Sequence, residues 1–287
     1  MNKPIEADMA YFAAFILAHG RPELNDTYVH LRKAGYTGRI VVVIDNEDDK
    51  AQLYKDKYGE DNVYVFNKTW AACANDSMNN FGNRKAILFA RNECFKIAKE
   101  LGLRYFVELD DDYYYFGHRG INGAKKTQHL DDIFKWFVEF LLNTSVKSIA
   151  FSQGGDHIGG WRDGLLCKRK AMNSFFCLTD RPFRFYGVMN DDVNCYLING
   201  KKGDVFLTYM AFQLDQADTQ KISGGMSETY KDFGTYTKSF TSVCGAPSCV
   251  SVKLMGGGSA MRLHHSINWS LAVPMIVAEV YKKNKIS

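Results

Sequence analysis

The stretch Arg104-Tyr-Phe-Val-Glu-Leu-Asp-Asp-Asp112 decides how the rest of the chain is read. Residues 104–109 are aromatic and β-branched, the character of a buried strand. Three carboxylates follow at its carboxyl end, where open α/β sheets place their ligands. Alternation along an extended chain sends Asp110 and Asp112 to one side. Carboxylates that close repel and raise each other's pKa, and a divalent cation between them removes the repulsion. Oxygen ligands favour Mg²⁺ or Mn²⁺ over zinc. Standing alone, an acidic triplet is more often a solvated turn, so the surrounding sequence decides.

Upstream, residues 12–18 read as a continuous apolar strand that His19-Gly20-Arg21-Pro22 breaks. A helix follows, capped by Asn25 or Asp26 and closed by Gly35. Residues 38–45 are a second buried strand ending in Asp45, residues 47–58 a helix and residues 62–66 a third strand. The helix at 85–101 carries Ala90, Cys94, Ile97, Ala98 and Leu101 at helical spacing and delivers the chain to the acidic strand. This rhythm predicts an α/β fold built on a mostly parallel sheet flanked by helices.

Downstream come an amphipathic helix at 130–142 and a strand at 148–152. The glycine-rich Gln153–Gly160 has neither GxGxxG nor GxxxxGK[ST] spacing and reads as an active-site loop. Asn190 is placed to cap a short helix over 191–199, with Asp191 and Asp192 in its first turn. Capping alone accounts for those acids. A strand at 204–208, a mobile loop at 223–245, a strand at 249–255, an extended Arg262-Leu-His-His265 and an amphipathic helix from about 268 to 281 complete the reading.

A chain of 287 residues with 46% hydrophobic and 24% charged residues accommodates one large α/β domain with loop elaborations. The net charge of +4 is too mild to hold nucleic acid by charge alone. Lys125-Lys126, Lys168-Arg169-Lys170 and Lys201-Lys202 are local basic clusters that suit phosphates or a solvated face. The seven cysteines are scattered and form no CxxC pair, as expected of reduced thiols in a cytoplasm. Residues 11–18 read as a strand rather than a signal sequence, and no apolar run approaches a membrane span.

Strand-end acids at Asp45 and Asp110–Asp112, Ala90-Arg91-Asn92 between them, Asn190-Asp-Asp192 and a late His264-His265 together resemble a GT-A glycosyltransferase. Ile16-Leu-Ala-His-Gly-Arg-Pro22, Glu108-Leu-Asp-Asp-Asp-Tyr113, Phe151-Ser-Gln-Gly-Gly-Asp156, Asn190-Asp-Asp-Val-Asn194 and Arg262-Leu-His-His265 are similar to landmarks of the phage TET-associated glycosyltransferases. The resemblance implies a single GT-A-like domain over 1–287. Its nucleotide-sugar half spans about 10–113, and its acceptor half spans about 114–287.

It further implies that His19, Arg21, Asp45 and Arg91 bind the nucleotide and diphosphate. Asp110 would take the ribose and share the metal site with Asp112. One of His264 and His265 would complete that site; neighbours on an extended segment point oppositely, so both would not. Asp192 matches the catalytic base of the xED motif, with Asp191 as the alternative. The implied donor is UDP-glucose or UDP-N-acetylglucosamine with Mn²⁺ or Mg²⁺. The implied acceptor is a hydroxymethylated pyrimidine in phage DNA, in the cytoplasm of an infected bacterium. Trp161, Arg162 and Lys168–Lys170 are expected on the acceptor side. Two other readings fit the residues: transfer to a protein or small-molecule hydroxyl, and a nucleic-acid-binding module without catalysis. Nucleotidyl transfer fits less well, because residues 15–22 lack a GxGxR-type start.

Overall fold

The computed structural model describes residues 3–75, 78, 84, 86–157, 160–216, 226–256 and 261–274. The first strands are β1 (Phe12–Leu17), β2 (Arg39–Asp45), β3 (Val63–Phe66) and β4 (Tyr105–Asp110). They lie in the order β3-β2-β1-β4 with all neighbours parallel. Four helices belong to this half: α1 (Asp26–Lys33), α2 (Ala51–Tyr58), α3 (Lys68–Ala74) and α4 (Leu88–Glu100). Asn25 and Asn67 cap α1 and α3 by accepting from backbone N–H groups three residues on. Parallel strands buried on both faces explain why β1 and β2 read as unbroken apolar runs.

Beyond β4 the sheet becomes mixed. The chain turns back as a hairpin, β5 (Tyr113–Gly120) and β6 (Gly123–Lys126), then runs through α5 (Leu130–Leu142) and β7 (Ser148–Ser152). Short β8 (Leu165–Leu166) and β9 (Ser174–Leu178) precede α6 (Asp191–Lys201) and the long β10 (Phe206–Gln216). The strand β9 inserts antiparallel between β4 and β7, so the order continues β4-β9-β7-β10-β5-β6. The last elements are α7 (Met226–Gly245), the antiparallel pair β11 (Val250–Met255) and β12 (Arg262–Ile267), and α8 (Trp269–Ala272).

Alternation divides the core. Ala13, Phe15 and Leu17 of β1, Phe106 of β4 and Phe175 of β9 pack with α4 and α6 on one face. Phe12, Ala14, Ile16, Val107, Leu109 and Phe176 pack with α1 and α5 on the other. The period-2 pattern therefore fixes which face each strand-end carboxylate leaves from.

Two expectations are corrected here. Residues 226–245 form a helix rather than a loop. Their Gly, Ser, Thr and Tyr content disguised a segment held by packing on α6, β11 and β12. The late helix is one turn, Trp269–Ala272, before Pro274, and residues 275–281 lie outside the described residues. Among the described residues no helix is long and apolar enough to cross a membrane.

Candidate active site

The carboxyl ends of β1, β2 and β4 and the amino end of α6 meet along one edge. At the far end, Asp45 terminates β2 and is buried, with Oδ2 2.9 Å from His19 Nδ1 and 3.1 Å from Lys68 Nζ. The hydrogen bond to Asp45 raises the His19 pKa, although partial burial opposes it. Burial works to raise Asp45 itself, but His19 and Lys68 outweigh it and hold that carboxyl below its ordinary value. Lys68 was not recognisable from sequence. It enters at the first turn of α3, a helix with no clear apolar period.

The acidic triplet splits between the two faces. Asp111 goes to the α1 side, where Arg21 clamps it with Nε at 2.9 Å and Nη2 at 2.6 Å. Two parallel charge-assisted bonds to a buried carboxylate are a structural use of an arginine. Arg21, expected at the nucleotide, has its guanidinium held on Asp111. Thr27 completes this corner, its hydroxyl donating to the Asp110 carbonyl at 2.6 Å and accepting from Tyr113 N at 2.8 Å.

Asp110 leaves on the α4 side. Arg91 Nη2 donates to its Oδ1 at 3.1 Å, while Arg91 Nη1 lies 3.4 Å from Asp191 Oδ2, a charge contact without a hydrogen bond. The guanidinium is buried, with its centre 5.5 Å from the Phe175 ring and 5.4 Å from the Phe185 ring. A solvent-facing role for Arg91 is therefore ruled out. One cation joins the end of β4 to the start of α6. Below it, burial pushes Glu108 well above its ordinary value, with Arg91 opposing.

Asp112 is the loose member. Its pKa is pushed up to about 7 by burial first and then by Asp110 and Asp111, with Arg21 opposing. Its Oδ1 is buried without a hydrogen-bond partner. An unpartnered carboxylate oxygen among like charges is the environment that a divalent cation relieves. Among the described residues no three His, Cys, Asp or Glu side chains stand together as a ready metal cage. Mg²⁺-type sites are completed in another way, by one or two carboxylates plus substrate phosphates. The residues present fit that kind of site.

Asp191 and Asp192 open α6, as expected, but capping is not their partner's role. Asn190 is left-handed, at φ 53°, and makes no cap. Its Nδ2 instead reaches the Lys238 carbonyl at 2.8 Å, Ser242 Oγ at 3.2 Å and His265 Nδ1 at 3.3 Å. Asp191 is buried and pushed up to about 7; burial leads, Arg91 opposes, and Asp192 and Asp110 add to the rise. Asp192 is half-buried, and its charge acts on Arg91, Lys238 and His265.

The two late histidines do not point apart. Their rings lie 4.2 Å between centroids, because His264 Nδ1 folds back to within 2.9 Å of the His265 carbonyl. A carbonyl only accepts, so His264 carries its proton on Nδ1 and leaves a bare lone pair on Nε2. The Lys238 carbonyl likewise fixes Asn190 Nδ2 as the donor, so His265 Nδ1 accepts and its Nε2 carries the proton. Burial, then His264, pushes His265 down to about 4, which keeps it neutral. Of the two, His264 has the tautomer of a metal ligand. No described contact brings either histidine to Asp112.

Of the expected acceptor residues, Trp161 and Arg162 are exposed, and Arg169 is drawn to the buried Asp156 at 2.9 Å. Lys168 is exposed and Lys170 half-buried.

Carboxylates at the ends of the parallel strands and a second acidic pair at α6 share one edge of a mostly parallel α/β sheet. The chain belongs to the TET-associated glycosyltransferase family, whose model matches residues 12–225. No curated protein matches it. Among solved structures, it is similar to glucosyl-3-phosphoglycerate synthase from Mycobacterium tuberculosis in complex with Mn²⁺, uridine diphosphate and phosphoglyceric acid. Identity there is 12% over 92% of this chain and 89% of that one, with a TM-score of 0.46. It is also similar to the mannosyltransferase PcManGT from Pyrobaculum calidifontis in complex with GDP-Man and Mn²⁺. There identity is 10% over 82% of this chain and 73% of that one, again with a TM-score of 0.46.

Proposed function

We propose that this glycosyltransferase moves a sugar from a nucleotide-sugar, UDP-glucose or UDP-N-acetylglucosamine, to the hydroxyl of a hydroxymethylated pyrimidine in phage DNA. The observation that carries the transfer reading is Asp112: a carboxylate with a bare buried oxygen just beyond β4, two residues after an Asp110 tied through Arg91 to Asp191. The DNA acceptor rests on the family to which the chain belongs.

In this reading His19, Asp45 and Asp110 line the nucleotide end, and Asp112 with Asp110 would hold Mn²⁺ or Mg²⁺ beside the diphosphate. The bound cation supplies Lewis-acid stabilisation of the departing diphosphate. Arg91 holds Asp110 and Asp191 in fixed relation, which positions donor and acceptor ends together. Asp192 is the better base, because Asp191 is buried against Arg91 while Asp192 is only half-buried. It takes the proton of the acceptor hydroxyl as the new carbon–oxygen bond forms at the anomeric carbon and the bond to the diphosphate breaks. His264, by its tautomer, is the histidine available to a cation.

The test is incubation with Mn²⁺, a panel of nucleotide-sugars, and DNA with or without hydroxymethylated pyrimidines, followed by mass measurement of the nucleosides. A hexose or N-acetylhexosamine mass on the modified base alone is expected. Mass gain only on protein or small hydroxyls would defeat the DNA acceptor. For Asp192→Asn, donor binding persists while transfer falls by about 10²–10⁴; undiminished transfer would remove Asp192 as the base.

A further inference from the structure

The terminal hairpin is an amphipathic ribbon whose apolar face outruns its cover. Among the described residues β11 and β12 pair only with each other, apart from the large sheet. Alternation along the ladder puts Val250, Val252 and Leu254 on one face with Leu263, His265 and Ile267. At the root this face is core: Val250 is 5% exposed and packs with Ile267 in the cluster shared with α4 and α6. At the outer end it is bare. Leu254 is 62% and its cross-strand partner Leu263 39% exposed, with Met255 at 49% and Met261 at 53% beside them. Large apolar residues grouped in water mark an interaction surface.

The opposite face is polar and basic. It carries Ser251, Lys253, Met255, Arg262, His264 and Ser266, of which Lys253 and Arg262 are exposed cations. From residue 233 to residue 278 the sequence contains no Asp or Glu, although the chain holds 32 among 287 residues. No carboxylate of this segment answers the two cations, so the ribbon is complementary to a polyanion. Its root lies at the catalytic end: His265 Nδ1 is 3.3 Å from Asn190 Nδ2, and Asn190 directly precedes Asp191 and Asp192.

We propose that the β11–β12 ribbon is a wedge for duplex DNA. Leu254 and Leu263, flanked by Met255 and Met261, press between base steps next to the target, while Lys253 and Arg262 hold the neighbouring phosphates. This rests on the reading of the acceptor as DNA and adds how the base is reached. A hydroxymethyl group on a stacked base does not reach a buried site at strand ends, so the nucleotide is extruded. Apolar side chains inserted between base steps unstack them and kink the duplex, and a two-stranded ribbon fits a DNA groove. A lipid surface or a second copy of the chain would also cover the leucines. Duplex DNA is the partner that uses all three features: the leucines, the cations and the root beside Asp192.

The test uses the full chain and a duplex carrying one hydroxymethylated pyrimidine beside the fluorescent base 2-aminopurine, which brightens when stacking is lost. The wild type is expected to brighten it on binding, and the double variant Leu254→Ser, Leu263→Ser to bind without doing so. That variant should lose about tenfold to a hundredfold in kcat/KM on the duplex. It should lose nothing on the matching single strand, where no pair has to be opened. Lys253→Gln and Arg262→Gln should each reduce the slope of log affinity against log salt by about 0.9. All four side chains are exposed, so the variants should keep the wild-type Tm. No brightening by the wild type, or equal losses on duplex and single strand, would overturn the wedge. So would leucine-dependent binding to phosphatidylglycerol vesicles without binding to the duplex, or a wild-type dimer that the leucine variant splits while duplex turnover stands. If the wild type transfers sugar to no form of DNA, the acceptor reading falls. Leucine-dependent brightening of an unmodified duplex then upholds the wedge by itself, and its absence overturns it.

Discussion

Asp112 and Asp45 are both strand-end carboxylates, and their surroundings drive them in opposite directions. Asp112 is raised from 3.8 to about 7, so its contribution to stability is complete below pH 3.8 and is lost as pH climbs through 7. A cation that needs the ionised form reverses this. Mn²⁺ should therefore raise Tm more at pH 8 than at pH 6. At a hundredfold excess over Kd the gain is about 2.7 kcal/mol, on the order of 5–10 °C for a chain of this size. Asp112→Asn should abolish that shift and raise the metal-free Tm at pH 8; a full shift in the variant would place the ion elsewhere. Asp45 is lowered and His19 raised. The Asp45 contribution is present above pH 3.8 and the His19 contribution below pH 6.5, so their contact is strongest between those values. Asp45→Asn should bring the His19 pKa down to 6.5 or under, read by NMR titration of its ring; a value still raised would show that Asp45 is not the cause. Both acids were legible in the sequence as lying at the ends of apolar strands. The Lys68 partner of Asp45 and the Arg21 clamp on neighbouring Asp111 were not, because a partner is chosen by which helix or loop folds over the strand end.

At the scale of elements, the start of α6 shows how one side chain decides between capping and tertiary linkage. Asn before two acids reads as a cap, yet Asn190 adopts φ 53° and spends its amide on α7 and β12. A left-handed residue other than glycine costs about 1–2 kcal/mol, and asparagine tolerates it better than most. The pair Asn190→Gly and Asn190→Ala separates the two effects. Glycine keeps the backbone and loses the amide, so hydrogen exchange should quicken in α7 and β12 while β1 and β4 stay protected. Alanine loses the amide and adds backbone strain, so it should be less stable than glycine by about 1 kcal/mol. Equal stability of the two would mean that the φ carries no strain. The helix α7 was hidden from sequence because its apolar positions are sparse and its stability comes from packing. The missed strand β9, Ser174–Leu178, is as hydrophobic as β4, but it lies between irregular segments that gave no rhythm to place it.

For the whole molecule, β9 answers whether the nucleotide half and the acceptor half are one domain or two. The split expected near residue 113 falls where the chain leaves β4, but the sheet does not part there. Five residues of β9 pair with β4, and Phe176 of β9 pairs with Ile149 of β7. The same strand sends Phe175 into the core against α4 and α6 and Phe176 into the core against α1 and α5. Separating the halves would break a backbone ladder and expose both cores, so they should unfold together. The transition followed by far-ultraviolet circular dichroism should coincide with that followed by fluorescence of Trp70, Trp136, Trp161 and Trp269. Phe176→Ala should lower its midpoint without splitting it, at a cost of about 3–5 kcal/mol. Two resolved transitions, with a nucleotide-sugar stabilising only one of them, would instead make residues 10–113 an independent unit. The site would then be assembled across a hinge rather than within one sheet. Coincident transitions would mean that the Asp110–Arg91–Asp191 link spans a single rigid body, in which donor and acceptor carboxylates are positioned before either substrate arrives.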